Sequence, residues 1–241
     1  MLTPPRVFDV VEEIDSTNAE AFRRIEAGDH GPGVVLGLSQ TGGRGRRGRR
    51  WESAKGGLYF TYYATTMAPL RTLSLVGFVA ALAVADVVRD AGAEMVRLKW
   101  PNDVLLDGAK LSGILLESSA MPGGGAWFAL GIGINLAAAP QGLDQATAGL
   151  NRAMTPEEGA QRLMARLVHW GDRLEAEGFE PLRQAWLSQA HGLGEAVNAA
   201  AGAGRVEGAF VDLDADGALL LDTPTGRMRI TAGEVFFPGR A

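Results

Sequence analysis

The chain contains no cysteine. Structural disulfides, thiolate nucleophiles and cysteine-ligated metal sites are therefore excluded. Histidine is almost as scarce: His30, His169 and His191 lie far apart and in no ligand spacing, which argues against a protein-held zinc ion. The same scarcity, with no G-x-S-x-G elbow, argues against Ser-His-Asp catalysis. A magnesium ion carried by a nucleotide stays open. Long hydrophobic runs are missing too. The greasiest stretch, Leu73 to Val88, is interrupted by Asp86 and falls short of the roughly 20 residues that cross a bilayer. The opening MLTPPRVFDVVEEID has no signal-peptide core, so no membrane association and a cytoplasmic location are expected. Positive charge is not in excess either. A formal net charge of -5 argues against a protein built mainly to hold DNA, whose affinity comes from neutralised phosphates.

What is present is 241 residues with 46% hydrophobic content, enough for one large domain with a small appendage. Against the acidic background, Ser39 to Trp51 (SQTGGRGRRGRRW) carries five arginines, at 44, 46, 47, 49 and 50. Glycines at 42, 43, 45 and 48 let this backbone come close to a bound group, and the arginine forks hold paired carboxylate or phosphate oxygens. The run alone fits an anion-wrapping loop and an exposed, nucleic-acid-touching tract equally well. It is not a Walker loop, because the G-x-x-x-x-G-K-[ST] order is absent.

The pattern of elements places this run at a strand exit. Val7 to Val11 reads as a strand, Thr17-Asn18-Ala19-Glu20 has capping-box spacing for a helix ending near Gly28, and Gly33 to Leu38 is a short apolar strand. The run re-enters a sheet at Leu58 to Tyr63. Thr72 to Ala91 is apolar on nearly every face, as expected of a helix buried against a sheet. Val96 to Lys99, Val104 to Leu106, Lys110 to Glu117 and Trp127 to Ile134 read as strands, with Asp107-Gly108 and Pro122 to Gly125 as turns. Thr155 to Gln189 reads as helix divided at Gly178. After His191 short strands broken at Asp216-Gly217 and Thr225-Gly226 predict a small β-barrel, giving domains at 1–190 and 191–241.

A second polar cluster lies in KWPND, Lys99 to Asp103, where Pro101 holds Lys99 and Trp100 in extended geometry. Of 23 basic residues only Lys55, Lys99 and Lys110 are lysines, and two of them fall in or beside this cluster. Lys110, opening KLSGILLE, is either the polar start of an apolar strand or a mobile ammonium able to follow charge developing on a carboxylate or phosphate oxygen. The alternating glycines of Gly131-Ile132-Gly133-Ile134-Asn135 imply close approach of a ligand or backbone, and Asn135 either binds that ligand or caps a turn. Asp15-Ser16-Thr17 is explained by turn chemistry or by a site alike.

Taken in order, Gln40 with the GRGRRGR-W loop, KWPND, K-L-S-G at Lys110 to Gly113 and GIGIN resemble the catalytic domain of biotin protein ligases, from Asp15 to the GEV at 233–235. The resemblance implies an α+β fold in which helices pack on a mixed β-sheet, as in class II aminoacyl-tRNA synthetases, followed by a small SH3-like β-barrel. It implies that biotin is activated by ATP, with Mg2+, as biotinyl-5'-AMP and passed to one lysine of a biotin carboxyl carrier protein or domain. By position, Ser16, Thr17 and Gln40 correspond to residues that bind the ureido head, and Gly43 and Arg44 to the start of the covering loop. Arg46 corresponds to the arginine that holds the intermediate, Trp51 to a tryptophan near the adenylate, and Asn135 to an asparagine on the nucleotide side. Lys110, followed by Gly113, corresponds to the lysine at the carboxyl and phosphoryl groups. Asp103 corresponds to the carboxylate that assists the incoming amine, with Lys99 in the same motif.

The sequence departs from the family at Glu52 to Gly57, where a serine-proline-glycine segment is common. Six residues ahead of Val7 leave no room for the DNA-binding domain that many relatives carry, so a ligase without DNA control is expected. A homodimer is compatible with the resemblance. The rival readings are a ligase for lipoate or another acyl acid, a nucleic-acid-binding module and a noncatalytic partner of carboxylases.

Overall fold

The computed structural model describes residues 2–142, 145–201 and 204–237. A seven-stranded sheet forms its centre in the order β1-β2-β3-β7-β6-β5-β4. The strands are β1 (Val7–Val11), β2 (Gly33–Gly37), β3 (Leu58–Thr66), β4 (Val96–Lys99), β5 (Asp103–Leu106), β6 (Ala109–Ala120) and β7 (Ala126–Ile134). Only β1 and β2 run parallel; every other neighbouring pair is antiparallel. Asp107 and Gly108 both take positive φ, 51° and 80°, the geometry of a two-residue hairpin whose twist matches its strands.

Alternation in the strands decides what covers each face. Val34, Leu36, Phe60, Tyr62, Phe128, Leu130 and Ile132 point to the face covered by α3 (Val76–Asp90) and α4 (Pro156–Glu177). Helix α3 is apolar almost all round because both the sheet and α4 enclose it, whereas α4 is amphipathic and shields the outer side. The expected single helix from Thr72 is in fact two, a short turn α2 (Leu70–Leu73) and then α3. Helix α4 starts as its sequence dictates: the Thr155 hydroxyl accepts from Glu158 N at 3.1 Å, Pro156 follows, and Glu157 and Glu158 face the positive end of the dipole. Gly178, at φ 77°, ends it, and α5 (Glu180–Leu187) follows.

The opposite face is only half covered. Helix α1 (Thr17–Glu26) packs Ala21 and Ile25 over Val35, Tyr63 and Ala129. Along the same face the next register pair, Thr61 with Gly131, meets only its first residues, Thr17 and Asn18, and at the pair after that, Tyr59 with Gly133, the glycine is met by Trp51 instead. The predicted cap of this helix is corrected by one residue. Ser16, not Thr17, is the N-cap, its hydroxyl facing Ala19 N at 3.4 Å, and Glu20 pairs with Arg23 and Arg24 instead of reaching back to the cap. The competing interaction is the Thr17 hydroxyl, drawn off the helix end by Gln40 and Thr61.

A second sheet of five antiparallel strands follows, in the order β11-β10-β9-β8-β12. Its strands are β8 (Ala196–Ala201), β9 (Gly204–Leu213), β10 (Leu219–Thr223), β11 (Gly226–Ile230) and β12 (Val235–Phe236). This small sheet is docked, not tethered. Trp186 of α5, fully buried, meets Phe78 edge-on at 5.6 Å and Phe210 at 6.4 Å. The Trp100 indole donates to Gly217 O at 3.1 Å, and Arg183 pairs with Asp212. The aromatic group links both sheets, so Trp186→Ala is expected to cost about 3–5 kcal/mol of stability. Urea unfolding followed by circular dichroism checks this, and a loss under about 1 kcal/mol contradicts the role of Trp186 in the joint core.

Candidate active site

The uncovered half-face is the floor of a cleft of about 260 Å³, bounded by the start of α1, the arginine-rich loop and Pro140, Gln145 and Thr147. Its polar end is built at the helix start. Thr17 N and its hydroxyl both approach Gln40 Oε1, at 2.8 and 3.2 Å, while Gln40 Nε2 donates to Ser53 Oγ at 2.8 Å. Thr61 Oγ1, fully buried, lies 2.6 Å from Asn18 Oδ1 and 2.8 Å from Thr17 Oγ1. Asn18 Nδ2 donates to Glu117 at 2.8 Å. These groups hold one another in fixed orientations, as an uncharged polar wall at this end of the cleft.

The middle of the floor is bare backbone. Gly113 of β6 and Gly133 of β7 are register partners, and the Trp51 indole lies flat upon them. A Cβ at Gly133 would stand 2.5 Å from that ring and one at Gly113 2.9 Å, so both positions exclude side chains while the indole is there. Lys110 places its ammonium 5.5 Å over the same ring and 2.8 Å from Asp103 Oδ1. Across the bulge at Val104/Leu105, Lys110 is the register partner of Leu105, two residues along β5 from Asp103, so the ion pair runs diagonally between the strands.

The loop closes the roof. It bends through a single turn at Arg46–Gly48, with Gly45 N donating to Arg49 O at 2.7 Å and Arg47 held at φ 57°. Arg46 turns inward and donates to Asn102 Oδ1 at 3.1 Å, while Asn102 Nδ2 donates to Ile114 O at 3.0 Å. Burial, and then the neighbouring Arg47, hold the Arg46 guanidinium below its ordinary range, with Asp103 and Glu234 acting the other way. An arginine so perturbed still keeps its proton near neutral pH. Arg44, Arg46, Arg49, Arg50 and Lys110 line the cleft against one lining carboxylate, Glu52, so its complement is an anion.

The structure thus brings Ser16, Thr17, Gln40, Arg44, Arg46, Trp51, Lys110, Gly113 and Asn135 to one cleft. Three predicted residues stand behind it. Gly43 packs where a Cβ would meet Trp51 O and Ser53 Oγ at 2.5 Å; Asp103 reaches the site through Lys110; Lys99 is half-buried beside the Phe237 ring at 5.8 Å. Asn135 lines the cleft but its amide donates to Ala148 O at 3.0 Å, which fastens the Ala146–Leu150 segment across β6. Asn18, Thr61, Asn102 and Glu117 were not singled out from the sequence. Asn18 and Asn102 each adjoin a residue that was, and that adjacency was the available signal.

With this geometry in hand, residues 10–135 match the biotin/lipoate A/B protein ligase family and residues 192–237 match the biotin protein ligase C terminal domain. The chain is 42% identical over 236 residues to the biotin--[acetyl-CoA-carboxylase] ligase of Paracoccus denitrificans, covering 93% of this chain and 98% of that protein. It is 33% identical to the bifunctional ligase/repressor BirA of Escherichia coli over 88% of this chain and 68% of that protein. Among solved structures, the biotin protein ligase from Aquifex aeolicus in complex with biotin and ATP superposes with a TM-score of 0.81 at 27% identity, over 96% and 98% of the two chains.

Lys99 shows the energetic cost of collecting cations here. Burial, with Lys110 and Arg49 adding repulsion, keeps its ammonium below the usual lysine range despite Asp103 and Glu234. Because the unfolded chain binds that proton more tightly, stability attributable to Lys99 rises with pH between the lowered value and about 10.4. Lys99→Met is therefore expected to leave stability unchanged or raise it by up to about 2 kcal/mol at pH 7, since Asp103 keeps Lys110 as its partner. The gain should shrink toward the alkaline end of that window. Thermal unfolding of both proteins across pH 7–10 (about 10 being where lysine ordinarily titrates) measures it, and destabilisation at pH 7 contradicts it.

Proposed function

The chain belongs to the biotin/lipoate protein ligase family, and from that premise we propose that it activates biotin with ATP and transfers it to a lysine of a biotin carboxyl carrier domain. The observation that carries the proposal is the placement of Lys110, paired with Asp103, and of Arg46, joined to Asn102, around one polar-ended cleft. The division into residues 1–190 and 191–241 is part of the same reading, the first unit holding the substrates.

Two negatively charged groups must meet in the first step. The biotin carboxylate attacks the α-phosphorus of ATP, the bond to pyrophosphate breaks, and a mixed anhydride, biotinyl-5'-AMP, is left. Arg46 and Lys110 supply fixed and mobile positive charge where the two reactants repel one another and where charge builds in the transition state. Ser16, Thr17 and Gln40 offer donors and acceptors to the ureido head, and the Trp51 indole over Gly113 and Gly133 offers an apolar surface. Gly43 and Arg44 begin the cover. Asn135 serves the nucleotide side by holding the Ala146–Leu150 segment in place.

The second step follows from the first by the same ion pair. While Lys110 neutralises Asp103 at 2.8 Å, neither is free to act elsewhere. A phosphoryl group that attracts the Lys110 ammonium leaves Asp103 as the acceptor for a proton from the incoming lysine. That amine attacks the acyl carbon and AMP departs with the bonding pair. Lys99 adds positive potential behind Asp103. Magnesium would accompany the triphosphate and offset its charge. No described helix is long and apolar enough to cross a membrane.

The decisive test incubates the protein with Mg-ATP, a carrier domain and either biotin or lipoate and reads the product by mass spectrometry. Addition of one biotin to one lysine is expected; attachment of lipoate but not biotin, or of neither, overturns the proposal. Lys110→Ala is expected to slow adenylate formation by about 10²–10³-fold. Asp103→Asn should instead spare that step and slow transfer, a split that rapid-quench measurement of the two half-reactions resolves. Equal slowing of both steps by both variants contradicts the assigned roles.

A further inference from the structure

The arginine flap is held partly from within, by Gly45 N donating to Arg49 O and by the Arg44–Arg50 bridge, and partly by the bond from Arg46 to Asn102. Arg47 and Gly48 at its tip are exposed, and Arg47 sits at φ 57°, uncommon for a residue with a side chain. A further hold comes from the C-terminal segment. Arg49 Nη2 lies 2.5 Å from Glu234 Oε1, Arg47 Nη1 lies 3.9 Å from Glu234 Oε2, and Arg46 Nη1 donates to Gly233 O at 3.3 Å.

Glu234 is itself rigidly placed. Ala200 N donates to its carbonyl at 2.9 Å, Val235 pairs with Ala199 in β12 and β8, and a Cβ at Gly233 would run into Ala200 O. Three residues on, Phe237 lies under the Lys99 ammonium at 5.8 Å. The segment 233–237 therefore touches both the flap and the K-W-P-N-D turn, the two elements that must stay in register around the cleft. Both arginines of the tie are about half exposed and Glu234 is 27% exposed, so the tie is weak enough to open for substrates.

We propose that Glu234 is a positioning residue: acting through Arg49 and Arg47, it holds the flap down and thereby keeps Arg46 over the cleft. Retention of the activated acyl-adenylate then depends on the C-terminal domain, a consequence that rests on the ligase reading, whereas the holding of the flap does not. Like charge among Arg46, Arg47 and Arg49 disfavours their gathering in one loop, and Glu234, with Asp103 acting on Arg46, offsets it.

The test is a charge swap. Glu234→Arg, Arg49→Glu and the double variant are compared with wild type in two measurements: tryptic cleavage after Arg44, Arg46, Arg47 and Arg50 in ligand-free protein, and release of biotinyl-adenylate from loaded protein. Each single variant should speed both by roughly three- to ten-fold, the range of a half-exposed ion pair and its reversal. The double variant should return most of the way, which a merely structural contribution of either residue would not produce. Wild-type cleavage and release in Glu234→Arg, or no recovery in the double variant, overturns the proposal. If a charge-reversal variant melts well below wild type, Glu234→Gln replaces it, and unchanged cleavage there is equally fatal. Failure of wild type to form any adenylate counts against the ligase reading alone, since the cleavage measurement still decides whether Glu234 holds the flap.

Discussion

Repulsion between cations is the constraint that shapes this protein. Of five arginines within seven residues, four line one cleft together with Lys110, while Arg47 and Lys99 stand close by, and each would be more comfortable in water. Burial already holds Arg46 and Lys99 below their ordinary ranges. The arrangement persists because carboxylates are dealt in from different parts of the chain: Asp103 from the sheet against Lys110, Glu234 from the C-terminal domain against Arg49. The number of anions is kept small, and that shortage is functional. A site neutralised completely by its own acids has nothing left with which to attract a carboxylate and a triphosphate.

The second determinant is what the sheet leaves uncovered. One face is filled by α3 and α4, which pack on aliphatic and aromatic residues such as Leu36, Phe60, Tyr62, Phe128 and Leu130. On the other, α1 covers Tyr63 and Ala129 and meets Thr61 and Gly131 with its first two residues, and the middle of the face beyond it is glycine, Gly113 and Gly133. The cleft is thus a deliberate gap in packing. Its floor is shaped by the register that sets Gly113 beside Gly133, and its apolar surface is contributed by Trp51, a residue of the loop that forms the roof.

Much of this was legible in the sequence because the signals are local. Hairpin chemistry at Asp107-Gly108, the Thr155-Pro156 start, the break at Gly178 and the strand alternation of the last fifty or so residues each depend on a few neighbouring residues and survive in the structure. The cap of α1 was misplaced by one residue because Ser16 and Thr17 are both competent caps. A long-range partner, Gln40, decided between them by drawing Thr17 away. Asn18, Thr61 and Glu117 escaped notice for the same reason: each looks ordinary beside its chain neighbours, and only the packing of α1 on β3 and β6 assembles them.

The sequence alone determined which chemistry was possible. With no cysteine, three histidines and a glycine-arginine loop, it left phosphate and carboxylate chemistry handled by fixed charge, and its ordered motifs pointed to one family. Tertiary structure decided how the charges are used: that Asp103 serves Lys110 from behind the cleft, that Asn135 holds backbone, and that Glu234, some 190 residues from the flap, touches it. Charge type is a property of a residue and can be read in order along a chain. Charge balance is a property of distances, and those exist only once the two sheets are docked.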